Sequence, residues 1–166
     1  MADERALQIR PYRPADREQV MTIAPRLAEW VSSWRDQDAV LAAVRGWVRD
    51  SVDSCGQPGH AAYVAAFGQQ VAGFVSVSER THFTGQVDGY VGELAVQSGL
   101  ERRGIAAGLM AAAEAWAAER GLAFLTLDTG AANRPARGLY RALGYQEEDV
   151  RLTKAILPRP GDLGGS

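Results

Sequence analysis

Apolar and polar residues recur with two different periods along the chain, and these periods predict where strands and helices lie. Residues 7–10 alternate with a period of two before a proline, which predicts a half-buried first strand. From Asp16 to about Trp34 apolar residues recur every three or four positions, which predicts a helix that Pro25 kinks or breaks. A second helical run includes Val40 to Val48 and ends before a loop rich in glycine and proline.

The centre of the chain returns to a period of two. Ala61 to Phe67 and Val71 to Ser78, joined by the turn Gly68-Gln69-Gln70, predict a β-hairpin. Val87 to Val96 predicts a further strand. Helical spacing resumes at Ile105 and continues until Gly121 ends the helix.

The last third of the chain predicts a strand, a helix and a strand. Leu122 to Asp128 is strand-like, and Asn133 can cap a short helix that extends to Gly144. Val150 to Ile156 alternates again and predicts a final strand. We expect residues 1–157 to form one domain and residues 158–166 to form a flexible tail.

This order of elements predicts an α/β fold of the α+β type. A hairpin-rich first half followed by a strand-helix-strand second half is typical of a mixed, mostly antiparallel sheet with helices on both faces. We expect about six to seven strands flanked by about four helices.

Composition narrows the classes of function. The 166 residues include 18 Lys and Arg against 20 Asp and Glu, for a net charge of -2, which argues against nucleic-acid or anionic-membrane partners. No apolar stretch is long enough to span a bilayer, and the first residues lack a signal-peptide core, so we expect a cytoplasmic protein. Cys55, with only His60 and His82 beside it, gives no credible metal cluster, and we expect no metal.

Candidate chemistry lies where the strand ending at Val96 passes through a glycine-containing loop into the helix at Ile105. A helix N-terminus offers unpaired N–H groups and partial positive charge, so such a loop can bind an anion. The stretch Gly99 to Gly104 resembles the start of a P-loop, but Ile105-Ala106 replace the Lys-Ser/Thr that would contact phosphates and magnesium. Neither a G-x-G-x-x-G dinucleotide motif nor a G-x-S-x-G elbow is present.

Two motifs in this part of the chain carry a family resemblance. Leu94-Ala95-Val96 gives an L-x-V strand end, and Gly104 and Ala106 occupy the small positions of a Q/R-x-x-G-x-G/A loop, with Glu101 in place of Gln or Arg. The segment from Asn133 to Tyr145 matches N-x-x-A-x-x-L-Y-x-x-x-G-F/Y. Over roughly Val87 to Ile156 the chain therefore resembles the Gcn5-related N-acetyltransferase family.

The resemblance implies acetyl-CoA as cosubstrate, with the loop around its pyrophosphate and the backbone of Leu94 and Val96 beside its pantetheine arm. The Val96 N–H would help to polarise the thioester carbonyl. Arg102 and Arg103 can supply the positive charge that Glu101 does not. The implied cofactor-binding residues are Leu94, Ala95, Val96, Glu101, Arg102, Arg103, Gly104, Ile105, Ala106, Ala107, Asn133, Arg137 and Tyr140.

The resemblance also implies two catalytic residues. Tyr140 is the expected general acid for the departing thiolate, and Glu93 is the first candidate for the base that accepts a proton from the amine. Glu79 and His82 are weaker alternatives for the base. Trp30, Trp34 and Trp47 resemble residues of acceptor-side helices, and their spacing favours core packing for most of them, with one lining an acceptor pocket.

The expected function is acetyl-CoA-dependent N-acetylation of a primary amine on a small molecule, by direct attack in a ternary complex. The segments from Gly92 to Val96 and from Tyr145 to Leu152 look somewhat like those of aminoglycoside 3-N-acetyltransferases. An aminoglycoside or polyamine is therefore the second candidate acceptor. A peptide or protein N-terminus and a non-catalytic acyl-CoA-binding module stay open. The resemblance is also compatible with a homodimer.

Overall fold

A computed structural model describes residues 6–158. The helices and strands in this range follow the predicted order up to the last predicted strand. Short 3-10 turns precede α1 at Pro14–Asp16 and follow it at Ala24–Ala28. The elements are β1 (Leu7–Pro11), α1 (Arg17–Ile23), α2 (Gln37–Asp53), β2 (His60–Phe67), β3 (Gln70–Thr81), β4 (Val87–Val96), α3 (Ile105–Glu119), β5 (Leu125–Leu127) and α4 (Arg134–Ala142).

The strands form one sheet in the order β1-β2-β3-β4-β5. The first four are antiparallel to their neighbours, and β5 lies parallel to β4. The predicted mixed, mostly antiparallel sheet is therefore confirmed. Within residues 6–158 it has five strands rather than six or seven.

The predicted final strand, Val150 to Ile156, is wrong in this structure. These residues form no strand, and their apolar side chains face solvent, with Val150 74% exposed and Leu152 89% exposed. Alternation of apolar residues shows only that a segment could lie with one side against a sheet, and it does not determine whether the segment pairs with another strand. Pro158 is exposed coil, and the rest of the predicted tail lies outside the described residues.

Each face of the sheet has its own hydrophobic layer. On one face α3 contributes Ile105, Leu109 and Met110 to a cluster that includes Val75. On the other face α1 and α2 pack against Phe74 and its neighbours. Consecutive residues of β3 thus serve opposite layers, as the alternation of side chains along a strand requires.

The predicted helix from Asp16 to Trp34 ends early. Helix α1 stops at Ile23, and Pro25 lies in the following 3-10 turn because it has no N–H to continue the α-helical bonds. Trp30 and Trp34 therefore lie in a loop and are 42% and 51% exposed, while Trp47 on α2 is 56% exposed. The expectation that most of these tryptophans pack in the core is wrong.

Helix α3 packs closely on the sheet at Gly73 of β3. A Cβ added at Gly73 would lie 2.8 Å from the backbone oxygen of Ala95, 3.2 Å from Leu109 and 3.3 Å from Ile105. No side chain fits there unless backbone or helix moves, because the nearest atom belongs to the neighbouring strand. The glycine sets the spacing between α3 and the two central strands.

We expect Gly73→Ala to lower the free energy of unfolding by about 1–3 kcal/mol, the usual cost of overpacking a core. Gly46→Ala is the matched control, because Gly46 lies inside α2 with nothing within 4 Å of an added Cβ. That change should stabilise the protein by roughly 0.5–1 kcal/mol. Urea unfolding of both variants measures the two effects, and equal stability of Gly73→Ala and the parent would contradict this account of the packing.

Candidate active site

A β-bulge on β4 places the first candidate side chain. Two residues of β4, Gly92 and Glu93, stand opposite the single residue Ser76 of β3. The extra residue interrupts the alternation and directs Glu93 toward the face that carries α2, where its side chain meets Ser76. Gly92 leaves room for this contact, because a Cβ there would lie 2.8 Å from Ser76 Oγ.

Beyond the bulge, β4 and β5 separate. Strand β5 pairs with β4 at three residues only, the last of them Val91, whereas β4 continues to Val96. The Gln97 N–H donates to the Ala72 oxygen, 2.7 Å away. Because the ladder alternates, the N–H groups of Leu94 and Val96 point away from β3, toward the gap that β5 leaves. We call this gap the wedge.

The loop between β4 and α3 is shaped to receive an anion. Gly99, Arg102 and Gly104 all have positive φ, of 83°, 61° and 75°. The first bond within the helix runs from the Gly108 N–H to the Gly104 oxygen, 2.9 Å away, so the N–H groups of residues 105–107 have no acceptor in the helix. Exposed N–H groups at a helix N-terminus, next to left-handed residues, form the concave cradle that phosphate groups occupy.

Glu101, which departs from the family pattern, is engaged within the protein. Its carboxylate lies 2.6 Å from Arg26 Nη2 and accepts a hydrogen bond from the Gly99 N–H at 2.8 Å. Arg26 Nε also donates to the Val96 oxygen at 3.1 Å, so one arginine joins the 3-10 turn, the end of β4 and the loop. Hydrogen bonds from its own N–H and from Gly99, with the charge of Arg26, lower the pKa of Glu101. Glu101 therefore carries a negative charge that is partnered by Arg26 and the Gly99 N–H.

Glu93 is a buried carboxylate, 6% exposed. The Ser76 hydroxyl donates to it, and the Glu93 N–H donates to Ser76 Oγ at 3.0 Å. Burial raises the pKa of Glu93, although hydrogen bonds from Ser76 and Ser51 and the charge of Arg80 oppose the shift. A base for a primary amine gains from such a shift, which brings its pKa closer to neutral pH.

Glu93 lines a cavity of about 190 Å³ on the α2 face of the sheet. The walls come from the C-terminal end of α2 and from the polar residues of β3 and β4, among them Ser51, Ser78, Arg80 and Tyr90. The other two candidate bases lie elsewhere. Glu79 is paired with Arg120 at 2.7 Å, and His82 contacts Thr84 Oγ1 at 2.7 Å; neither lines this cavity.

Helix α4 carries the remaining candidates. The Asn133 side chain accepts from the Ala136 N–H at 3.2 Å and so caps the helix, as its position predicts. Tyr140 packs against the cluster beneath α3, with its ring centroid 5.8 Å from that of Tyr145, and burial raises the pKa of Tyr140 to about 12. Arg137, predicted to reach a coenzyme phosphate, is paired with Glu147.

Several residues of this site were not predicted from the sequence. Ser76 and Ser51 hold Glu93 but belong to another strand and to α2, and Arg26 lies 75 residues before its partner Glu101. One signal was available: Ser76, Ser78 and Arg80 repeat with a period of two at the end of an otherwise apolar strand. A change from apolar to polar residues along one face of a strand indicates that helices no longer cover the sheet at that point.

Within residues 6–158, no group of three or more His, Cys, Asp or Glu residues is arranged to hold a metal ion. None of the helices in this range is long and apolar enough to cross a membrane. The site is thus built from backbone N–H groups, one buried carboxylate, hydroxyl groups and arginines.

Comparison with known proteins identifies the class. The model of the acetyltransferase (GNAT) family matches residues 9–145, and the chain belongs to this family. Members of the family use acetyl-CoA. In this chain the loop before α3 has N–H groups without an acceptor in the helix. A search of curated proteins finds no match.

Solved structures share the fold at low sequence identity. A putative acetyl transferase from Pyrococcus furiosus is 20% identical, with a TM-score of 0.72 over 91% of this chain and 100% of that one. A GCN5-related N-acetyltransferase from Ralstonia eutropha JMP134 is 23% identical, with a TM-score of 0.69 over 91% and 99%. AAC(6')-Iy, in complex with the bisubstrate analog CoA-S-monomethyl-acetylneamine, is 21% identical, with a TM-score of 0.64 over 92% and 99%.

The Arg26–Glu101 pair can be tested through coenzyme binding. We expect Arg26→Ala to weaken acetyl-CoA binding by roughly threefold or more at low salt, because it leaves the Glu101 carboxylate uncompensated beside the phosphate loop. Glu101→Gln in the Arg26→Ala background should recover the loss. Titration calorimetry of both single variants and the double variant gives the coupling. Failure of the second change to recover affinity would mean that Arg26 acts through Val96 instead.

The raised pKa of Glu93 predicts a pH-dependent cost to stability. A carboxyl whose pKa is higher in the folded protein than in the unfolded chain destabilises the fold as pH rises through that interval. Glu93→Gln should therefore be more stable than the parent at pH 8, and the difference should shrink as pH falls toward about 4. Thermal unfolding across this range measures it, with the exposed Glu119→Gln as control. A constant difference at every pH would show that Glu93 is not strained by burial.

Proposed function

We propose that this protein is an acetyl-CoA-dependent N-acetyltransferase that transfers an acetyl group to the primary amine of a small molecule by direct attack in a ternary complex. The observation that carries the proposal is the wedge. The wedge begins where β5 leaves β4 after Val91, next to Glu93 and its cavity, and it extends along β4 toward the loop before α3. A donor that lies in the wedge and an acceptor in the cavity would meet at the end of β4.

The donor would be held mainly by backbone. The N–H groups of residues 105–107 would bind the diphosphate, with Arg102 and Arg103 adding charge from the same loop. The free N–H and C=O groups of Leu94 would pair with the pantetheine amides as an added strand does. The N–H of Val96 would donate to the thioester oxygen, where negative charge grows during attack.

The acceptor needs a base, because an amine with a pKa near 10.4 is almost entirely protonated at neutral pH. Glu93 would take the ammonium proton, and its raised pKa makes that transfer less unfavourable. The free amine then attacks the carbonyl carbon and an N–C bond forms. The C–S bond breaks, the second amine proton passes to the departing sulfur, and the proton held by Glu93 returns to solvent. Ser76 and Ser51 would hold the carboxylate in place.

Tyr140 would assist the departing sulfur. With a pKa of about 12 the phenol stays protonated throughout the physiological range. Full proton transfer to a thiolate with an ordinary pKa of about 8.5 is uphill for such a group. The phenol therefore acts while the C–S bond is breaking, by hydrogen bonding to the developing charge.

An aminoglycoside is the second candidate acceptor. It is supported by structural neighbours that are aminoglycoside acetyltransferases, such as AAC(6')-Iy, and this support exists at the level of fold alone. Polyamine and peptide acceptors, cytoplasmic location and a homodimer stay predictions. In a non-catalytic acyl-CoA-binding module the same cradle would bind coenzyme without turnover.

Two measurements separate these possibilities. Acetyl-CoA at about one hundred times its Kd should raise the unfolding temperature, since a ligand at that excess adds about 2.7 kcal/mol to stability. Release of free thiol in the presence of an amine panel should report turnover. Stabilisation without thiol release would favour the binding module, and absence of stabilisation would contradict the coenzyme site itself.

The catalytic roles predict separate effects. Tyr140→Phe should lower kcat by about 10²-fold, the lower range for general acid catalysis, while acetyl-CoA affinity stays within about twofold. Glu93→Gln should lower kcat and remove the acid limb of the rate profile. Stopped assays from about pH 6 to 9 measure both. Unchanged turnover in Tyr140→Phe, or an unchanged profile in Glu93→Gln, would remove the corresponding role.

A further inference from the structure

The α2 face of the sheet is divided into an apolar half and a polar half. Helices α1 and α2 cover the apolar half at Phe74 and Ala95. Beyond them the same face of β3 carries Ser76, Ser78 and Arg80, because every second residue of a strand points to one side. These residues form the wall of the Glu93 cavity, together with Tyr90 of β4.

Arg80 is held in this wall by a stacking contact. Its guanidinium carbon lies 3.3 Å from the centre of the Tyr90 ring, and the Tyr90 hydroxyl donates to Asp128 at 2.9 Å. No carboxylate within residues 6–158 lies within 4.0 Å of the Arg80 guanidinium nitrogens. The Arg80 side chain is exposed, and its cross-strand neighbour is Asp88. A stacked guanidinium presents its N–H groups in a planar fork, which matches a carboxylate.

The cavity therefore has a buried negative end and an exposed positive end. Glu93 lies at the first and Arg80 at the second, and Asp50 at the end of α2 adds negative charge to the walls. A volume of about 190 Å³ lies below the usual 300–1,000 Å³ of sites for drug-sized ligands, so it suits a small acceptor. A polycation would gain from Glu93 and Asp50 but would meet Arg80 as a like charge.

We propose that the acceptor is a small amino acid, a molecule with a primary amine and a carboxylate, with its amine at Glu93 and its carboxylate on the Arg80 fork. The inference rests on the proposed function and narrows its substrate class. The acetyl transfer itself is unchanged: the N–C bond forms, the C–S bond breaks, and the products are an N-acetyl amino acid and free coenzyme A. Arg80 is then a residue that determines specificity through substrate binding.

The experiment compares matched acceptors at saturating acetyl-CoA. The twenty L-amino acids, β-alanine and γ-aminobutyrate are assayed beside their amides and their decarboxylated amines, with thiol release as readout. For the preferred amino acid we expect kcat/KM at least about tenfold above that of its amide, through KM rather than kcat. Loss of a charge-assisted bidentate hydrogen bond is expected to lower kcat/KM by about this factor.

Variants test whether Arg80 causes the preference. R80Q should lower kcat/KM for the amino acid by about tenfold or more and leave the amide within about twofold, so that the preference disappears. R80K should keep part of it, because it keeps the charge but not the fork. R45Q is the matched control, since Arg45 is an exposed arginine of α2 that does not line the cavity, and it should behave as the parent.

The outcomes distinguish this inference from the function on which it rests. Amides, decarboxylated amines or aminoglycosides acetylated as well as amino acids would overturn the amino-acid acceptor while leaving the transferase intact. Equal loss of both substrates in R80Q, with unchanged unfolding temperature, would show that Arg80 does not read the carboxylate. Acetyl-CoA binding with no thiol release from any acceptor would overturn the transferase, and the inference with it.

Discussion

The parallel pairing of β5 with β4 lasts for three residues, and the arrangement of the candidate site depends on that short contact. If the two strands stayed together, the N–H groups of Leu94 and Val96 would pair with β5 and could not bind a ligand. The bulge at Gly92 and Glu93 lies where the two strands separate, and Arg26 donates to the Val96 oxygen at the end of β4. Elsewhere the sheet is antiparallel, with a second register shift between β2 and β3 at Ala65 and Ala66, and α3 packs closely on it at Gly73.

The charges of the site follow a pattern that overall composition hides. A net charge of -2 coexists with an anion cradle in the loop before α3 and with the exposed guanidinium of Arg80 on the other face. The one carboxylate that departs from the family pattern, Glu101, is held by Arg26 and the Gly99 N–H. The carboxylate proposed as base is instead desolvated, which raises its pKa. Two acidic residues eight positions apart thus have opposite pKa shifts, because one accepts hydrogen bonds at the surface and the other is buried.

Predictions from the sequence succeeded where the signal was local. The strand from Val87 to Val96 and the helix from Ile105 were predicted correctly because their periodicity and their glycine boundaries are properties of the segments themselves. The strand at Val150 to Ile156 was wrong because alternation is a local property and does not determine whether a segment pairs with the sheet. A break at Pro25 was one of the predicted outcomes, but the helical spacing beyond it still favoured core packing for Trp30 and Trp34, which are exposed in a loop instead.

Contiguous motifs in the sequence predicted the family, which is confirmed. The same motifs predicted the phosphate-binding loop and the candidate pair Glu93 and Tyr140, and these roles stay predictions. Only the tertiary structure decided what surrounds them. Ser76 and Arg80 of β3 and Ser51 of α2 line one cavity with Glu93 of β4, and Arg26 pairs with Glu101, 75 residues further along the chain. Periodicity reports which side of a strand a residue occupies, whereas burial, pKa and pairing depend on which other segments arrive at that side. The environment of Glu93 is therefore a property of the fold and not of its motif.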